Sequence, residues 1–372
     1  MGIIKAKLRS FFKKNLKIII PFAVVSFVGC AILTFRFSRR LAKDLDVTLT
    51  ASVKKGGEYE HFLAAFAHVL NEDSSRYKVK LNVCNSQGAS GTTIDQLDKG
   101  KADIGLVQSN AKWNSKNISA VAYVYSELYF LITNRKDLAS ISDIANCRDT
   151  LTIARLDPPS QTSKDLLNLI SFYGIDASRI RYIDKDYNGT YAMLKSGKAD
   201  LGFMIVGLGN EVISSVLKDP TLHLVAFENT DAYVLRRHKL NKFILPMGFY
   251  GLHRPDSNYE TFATRAMLVV SSNLSDRTVY KFTRALFEKE SELVNEYPFC
   301  QLQKIRNDGE TYIPVHKAVL QYYNRDHPSF LDRNTNLIAT VLSIIGLVLS
   351  AIPIYIEFAG RRRRISLRPA HI

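Results

Sequence analysis

Three short loops carry the residues of this chain best suited to holding a small polar molecule. Residues 52–59 run through Lys54, Lys55, Gly56 and Gly57 to Tyr59, residues 86–93 read SQGASGTT, and residues 157–163 read DPPSQTS. Each stands where a helix is expected to begin, and exposed amides at the positive end of a helix favour a negatively charged or strongly polar ligand. Gly56 and Gly57 let the backbone approach such a ligand closely. Ser90 and Thr93 in the second loop, and Ser160, Thr162 and Ser163 in the third, are hydroxyl donors of the right kind. Helix N-caps prefer the same residue types, so ligand donor and cap both stand as readings, and the 86–93 loop also reads as a plain turn.

Other reactive side chains lack the spacing that chemistry needs. Cys84, Cys147 and Cys300 contain no CxxC pair and read as small buried apolar residues. His61 and His68 lie two turns apart on one side of a helix with no third ligand nearby, so no metal site is expected. There is no HExxH, GxSxG or Walker sequence, so hydrolysis and nucleotide chemistry have no motif to rest on, and neither a catalytic residue nor a cofactor is expected. Trp113, Tyr123, Tyr125 and Tyr129 could line a pocket, but the alternation from Val121 to Ile132 favours positions in a sheet.

The loops belong to a repeated unit. Leu97 to Leu106 reads LDKGKADIGL and Leu194 to Phe203 reads LKSGKADLGF. In each copy a helix should end near the leucine, Gly100 or Gly197 should turn the chain, and the residues after Asp103 or Asp200 should form a strand. The order also agrees upstream. Strands at 47–51 and 151–154 each precede a loop and a helix, the first with Tyr59, Phe62, Leu63, Phe66, Val69 and Leu70 on one face, the second with Leu166, Leu167, Leu169 and Ile170. A second strand and helix follow at 78–83 with 93–97, and at 179–183 with 190–194. Strand-helix-strand-helix-strand, twice, implies two doubly wound α/β lobes whose ligand sits beyond the carboxyl ends of the strands.

Charge and hydropathy describe what flanks these lobes. The 372 residues include 50 Lys and Arg against 35 Asp and Glu, a net of +15. Much of the excess is terminal: Lys5, Lys7, Arg9, Lys13, Lys14 and Lys17 at one end, Arg361 to Arg364 and Arg368 at the other. A uniformly basic surface for nucleic acid is therefore excluded, and four Cys exclude a disulfide-stapled scaffold. Residues 18–35 and 337–356 are uncharged runs long enough, at about 1.5 Å per residue, to cross a bilayer as helices. The basic flanks place tails 1–17 and 357–372 in the cytoplasm and the main domain outside, in spite of Arg36, Arg39, Arg40 and Lys43. A cleaved signal peptide would need a small-x-small site, which is absent, and Cys30 sits in an imperfect lipobox followed by further apolar residues. For the second run the alternative is a buried core helix, which four consecutive Arg oppose.

From about Val47 to Tyr323 the chain resembles the TAXI class of solute-binding proteins, the extracytoplasmic receptors of tripartite ATP-independent periplasmic (TRAP) transporters. Gly56, Gly57 and Tyr59 match that family's Gly-Gly-x-Tyr entrance to the first helix; Gly88, Ala89 and Ser90 its Gly-Gly-Ser; residues 100–110, ending in Gln108, Ser109 and Asn110, its Gly-x-Ala-Asp strand. Pro158, Ser160 and Thr162 match its second-lobe loop, residues 206–210 its Val-Gly-Gly-x-Pro-Asn turn, and residues 245–250 its Ile-Pro-x-Gly-x-Tyr segment. Residues 279–288 resemble its late helix, and 314–323 its closing His and Tyr-Tyr segment. Pro159, Gln161, Thr93 and Leu208 depart from the pattern, so ligand identity does not carry over.

The resemblance implies a type II periplasmic-binding-protein fold, with lobe 1 at 45–135 and 240–333, lobe 2 at 136–239, and crossings near 133–143 and 227–240. It implies a ligand site of Gly57, Tyr59, Ser90, Thr93, Gln108, Ser109, Ser160, Thr162, Ser163, Gly207, Asn210 and Tyr250. The lobes would close on a small anionic or zwitterionic solute, an organic acid or amino acid, and present a surface to a membrane permease. With both spans in place the protein is expected in a bacterial inner membrane, its main domain periplasmic. The alternative is an anchored sensor whose closure is read by a partner protein through the spans.

Overall fold

The two copies of the repeated decapeptide do the same structural work. Gly100 and Gly197 have φ of +66° and +67°, a left-handed turn that glycine adopts without strain, and each follows the end of a helix. Asp103 Oδ2 then accepts from the Thr50 amide at 2.7 Å and Asp200 Oδ2 from the Thr152 amide at 2.8 Å, so each aspartate pins the incoming strand to its neighbour.

In the computed structural model the described residues are 45–325 apart from 55–56, 75, 86–89, 112–114, 159 and 307–310. The tails, the apolar runs 18–35 and 337–356, Cys30, Lys55, Gly56, residues 86–89, Trp113 and Pro159 lie outside them. Among the described residues no helix is long and apolar enough to cross a membrane. The first half comprises β1 (Asp46–Val53), α1 (Glu58–Glu72), β2 (Lys78–Asn85), α2 (Ser90–Asp98) and β3 (Ile104–Gln108), followed by the long strand β4 (Ile118–Thr133) and a short α3 (Ile141–Asn146). The second half repeats the order with β5 (Leu151–Arg155), α4 (Gln161–Phe172), β6 (Ile180–Asp184), α5 (Tyr187–Lys195) and β7 (Leu201–Gly207). Then come α6 (Glu211–Lys218), β8 (His223–Leu224), α7 (Thr230–Arg236), β9 (Asn241–Leu245), the long β10 (Tyr259–Ser271), α8 (Asp276–Glu288) and α9 (Glu290–Glu296). The described residues up to His316 form one compact unit; a second begins at Lys317, and its described element is α10 (Lys317–Tyr323).

Among the described residues, all ten strands share a sheet whose main path is β2-β1-β3-β10-β4-β7-β5-β6. The order reads alike from both ends. β1 pairs in parallel with β2 and β3, as β5 does with β6 and β7. β3 then meets β10 and β7 meets β4, both antiparallel. The halves are therefore joined through the strands themselves. β4 pairs with β10 up to Leu128 and with β7 from Glu127, so it passes from one half to the other near Glu127.

Burial follows the expected faces with two exceptions, Tyr59, which is only half-buried, and Leu167. Phe62, Leu63, Phe66, Val69 and Leu70 of α1 are buried, and so are Leu166, Leu169 and Ile170 of α4, whereas Leu167 is 46% exposed. Leu167 lies one residue off the apolar stripe, where a helix turns its side chain outward. Tyr123, Tyr125 and Tyr129 are buried sheet residues, and Tyr129 packs edge-on against Phe203 and Phe262 with centroids at 5.7 and 5.8 Å. Cys300 is buried, while Cys84 and Cys147 are only half-buried; all three are free thiols.

Helix-to-strand packing in each half depends on a second repeated glycine. A Cβ on Gly105 would stand 2.5 Å from Thr93 Cγ2 and 3.1 Å from the Ser52 carbonyl, and one on Gly202 would stand 2.8 Å from Thr190 Cγ2. Thr93 is β-branched and 1% exposed, so it has no room to yield. Gly105→Ala is expected to lower stability by about 1–3 kcal/mol in denaturant unfolding, the usual cost of overpacking. A change below ~0.5 kcal/mol would contradict this close packing.

Candidate functional site

A cavity of about 450 Å³ opens between the two halves at the carboxyl ends of their strands. Its first-half wall comes from the loop before α1 (Lys54, Gly57), from α1 itself (Glu58, Tyr59, His61), and from Ser90, Gln108 and Glu127. The second-half wall comes from the helix starts at Ser160 to Thr162, Asp186 to Asn188 and Asn210 to Val212. The topology explains the convergence: each parallel strand delivers its loop to the same edge, and the repeat turns the two edges toward each other.

Seven of the twelve residues expected at the site line this cavity: Gly57, Tyr59, Ser90, Gln108, Ser160, Thr162 and Asn210. The other five lie off its wall. Thr93 packs on Gly105 and its hydroxyl donates to the Ser52 carbonyl at 3.3 Å. Ser109 is 4% exposed, its Oγ accepting from the Arg265 amide and facing Thr264 Oγ1 at 3.1 Å. Ser163 is fully buried and its hydroxyl donates to the Leu156 carbonyl. The Tyr250 hydroxyl donates to the Leu208 carbonyl at 2.9 Å. Gly207 sits behind Glu58: its amide donates to Glu58 Oε2 at 3.2 Å, and a Cβ there would overlap Glu58 Oε1.

Ser160 is a helix cap that also faces the cavity. Its Oγ accepts from the Ser163 amide at 3.1 Å and so caps α4, while the residue also lines the cavity. Asp186 caps α5 by accepting from the Gly189 amide at 2.8 Å, and Asn210 Oδ1 caps α6 by accepting from the Val212 and Ile213 amides. Among the described residues, each of these three second-half helices therefore has one or two first-turn amides engaged by its cap.

Two glutamates, Glu127 buried and Glu58 half-buried, are the chemically distinctive groups. Glu127, on β4 where the chain changes halves, is 4% exposed and accepts from the Tyr59 hydroxyl at 3.1 and 3.2 Å and from Gln108. Burial, reinforced by the nearby charge of Glu58, pushes its carboxyl up to about 8. Glu58 opens α1 and spans the cleft: it accepts from the Tyr297 hydroxyl at 2.8 Å, from the Gly207 amide, and from the Asn210 amide group. Burial raises its pKa too, against these hydrogen bonds and the neighbouring His61. At the mouth, Lys54 and Asp186 form an ion pair at 3.8 Å between the halves. Away from the cavity, His68, Glu72 and Glu296 lie close together on the surface, all exposed.

Sequence reasoning missed Glu58, Glu127, Asp186, Tyr187 and Tyr297. Glu127 carried a signal, being a lone charge in an otherwise apolar strand from Val121 to Ile132. The segment from Asp186 to Thr190 carried one as well, since the 97-residue repeat that relates Leu97 to Leu194 sets it opposite the 86–93 loop.

Among solved structures, the binding-protein component of an ABC phosphonate transporter from Pseudomonas aeruginosa is similar, with 13% identity over 85% of this chain and 99% of that one, and a TM-score of 0.50. The periplasmic aliphatic sulphonate binding protein SsuA from Escherichia coli aligns with 13% identity over 77% of this chain and 95% of that one, at a TM-score of 0.42. Among curated proteins none matches the sequence. The profile described as the NMT1-like family matches residues 49–325, nearly the whole stretch in which the repeat, the joined sheet and the cleft reside, and the chain belongs to that family.

Proposed function

We propose that the protein is an extracytoplasmic solute-binding receptor, held in the inner membrane by residues 18–35 and 337–356, that captures a small polar solute in the cleft and delivers it to a TRAP-type permease. The observation that carries this reading is the cavity of about 450 Å³, walled by both halves of the repeat and bridged by Glu58 to Gly207 and Asn210. Cavities of roughly 300–1,000 Å³ hold small molecules. Because the wall is shared, a ligand touching both sides stabilises the closed arrangement by its differential affinity, and closure creates the surface a permease can read. The fold shared with the binding-protein component of an ABC phosphonate transporter supports the same reading.

The experiment is thermal and denaturant unfolding of the full-length chain in detergent micelles against a panel of amines, amino acids, organic acids and sugars. A cognate solute at 100 times its dissociation constant is expected to add about 2.7 kcal/mol, and Gln108→Ala, which alters the cavity wall, is expected to remove most of that gain. A folded protein that no compound stabilises would count against the receptor.

A further inference from the structure

The charges around the cleft do not suit a simple anion. Its wall carries four carboxylates, Glu58, Glu127, Asp186 and Glu211, against Lys54 and His61 as basic groups. Lys54 is drawn to Asp186 at the mouth. Among the described residues no arginine lines the cavity. Arg155, the nearest in sequence to the second-half wall, pairs with Asp184 through Nε at 3.1 Å and stacks on Tyr182 at 3.7 Å, with its Nη1 buried and without a hydrogen-bond partner. The helix starts that would otherwise attract an anion are occupied, by Ser160 Oγ, the Asp186 carboxylate and Asn210 Oδ1, and the first turn of α1 carries Glu58 and Glu60. Deeper in, both carboxylates have neutral partners: Glu127 the Tyr59 hydroxyl and Gln108, Glu58 the Tyr297 hydroxyl, the Gly207 amide and Asn210. Buried carboxylates normally occur with a cation, and here the buried Glu127 and the half-buried Glu58 face one cavity, with His61 beside Glu58 as the nearby basic group and no ion pair to Glu127 among the described residues.

We propose that the solute presents a protonated amine to Glu127 and Glu58, so that the cleft selects amines and amine-bearing zwitterions over simple organic acids. This rests on the receptor reading above. An ammonium group supplies three N–H donors, and two carboxylates around it satisfy them with charge-assisted bonds in a site shielded from water. The hydroxyls of Thr162 and Tyr187, 3.5 Å apart on the opposite wall, are left to orient the uncharged or acidic remainder of the solute.

The test is calorimetric titration of the full-length chain in detergent micelles with putrescine, agmatine, L-arginine and L-glutamine on one side, and 2-oxoglutarate, L-malate, methanesulfonate and methylphosphonate on the other. At least one amine-bearing compound is expected to bind and none of the acids. Glu127→Gln is expected to weaken that binding at least about thirty-fold, the cost of truncating one partner of a buried charge pair. If Glu127→Gln does not give folded protein, Glu58→Gln puts the same question. Binding of an acid that survives Glu127→Gln would overturn the amine proposal and leave the receptor standing, and so would binding of an amine to both variants with unchanged affinity. Binding of no compound from either set would overturn both.

Discussion

Asp165→Ala is expected to lower the stability of the domain by about 2–4 kcal/mol, whereas Asp165→Asn should cost less than about 1 kcal/mol. Asp165 lies on α4 in the second half and is 4% exposed. One of its oxygens, Oδ2, accepts from the Tyr129 hydroxyl on β4 at 2.7 Å and from Asn110 Nδ2, just after β3 in the first half, also at 2.7 Å; Oδ1 accepts from Gln161 Nε2 at 3.0 Å. Asn110 Oδ1 in turn accepts from Thr264 Oγ1 on β10 at 3.2 Å. One carboxylate thus ties a second-half helix to the first half and, through Asn110, to both long strands. Alanine leaves the buried Tyr129 hydroxyl without its acceptor and takes from Asn110 Nδ2 the shorter of its two, the Tyr129 hydroxyl at 3.2 Å remaining, and a buried polar group left unpaired costs about 1–3 kcal/mol. Asparagine keeps an oxygen at the Oδ2 position for both donors, and Gln161 can turn its own carbonyl toward the new amide. Burial raises the Asp165 pKa, so losing the charge itself carries little penalty. Urea unfolding at pH 7 decides the matter: equal losses for both variants would mean the charge, not the hydrogen-bond pattern, holds the halves together.

How much of this was legible in the sequence follows from which residues repeat. Leu97, Gly100, Asp103 and Gly105 have counterparts 97 residues later because both halves need a helix stop, a strand pin and a close helix approach at the same places. Those demands are local, and local demands leave patterns. Thr93 shows the limit. As a hydroxyl residue in a loop it looked like a ligand donor, yet its repeat partner Thr190 meets Gly202 as Thr93 meets Gly105, so both are packing residues. The glycine and hydroxyl loops were readable because helix starts impose their own residue preferences. The acidic floor was not. Glu58 resembles any first-turn acid complementing a helix dipole, and Tyr297 reaches it at 2.8 Å from a helix end 239 residues away in sequence. Glu127 could be seen as a charge in a strand, but whether its face met solvent or a cleft depended on β4 serving both halves, and no local pattern states that.

Between pH 5 and 8.5 the ligand-free protein is expected to lose a few kcal/mol of stability, and Glu127→Gln is expected to remove most of that loss. The folded-state pKa of Glu127 is raised from 4.5 to about 8. A group raised on folding contributes stability that is complete below its unfolded pKa and disappears as pH climbs through the folded one, so the decline begins near 4.5 and levels off above about 8. Each tenfold change in a carboxylate's proton affinity on folding is worth about 1.4 kcal/mol, and relaxation of the cleft or entry of water reduces the sum. Glu58 is raised for the same reason and adds in the same direction, while the Tyr59 and Tyr297 hydroxyls and His61 favour the ionised carboxylates and oppose it. Because the two glutamates repel one another, the observed steps belong to the pair. Carboxylates held low by exposed partners, such as Asp137 beside Arg135 and Asp176 beside Ser178, titrate below this window and leave its slope alone. At pH 8.5 Glu127→Gln should therefore be the more stable protein, and at pH 5 the two should nearly coincide. Saturation with an amine that pairs with ionised Glu127 should reverse the wild-type trend, since the cation binds most tightly when the carboxyl has lost its proton. Parallel pH profiles for wild type and Glu127→Gln would mean that Glu127 ionises freely in the folded state, and that its cavity is wetter than its 4% exposure implies.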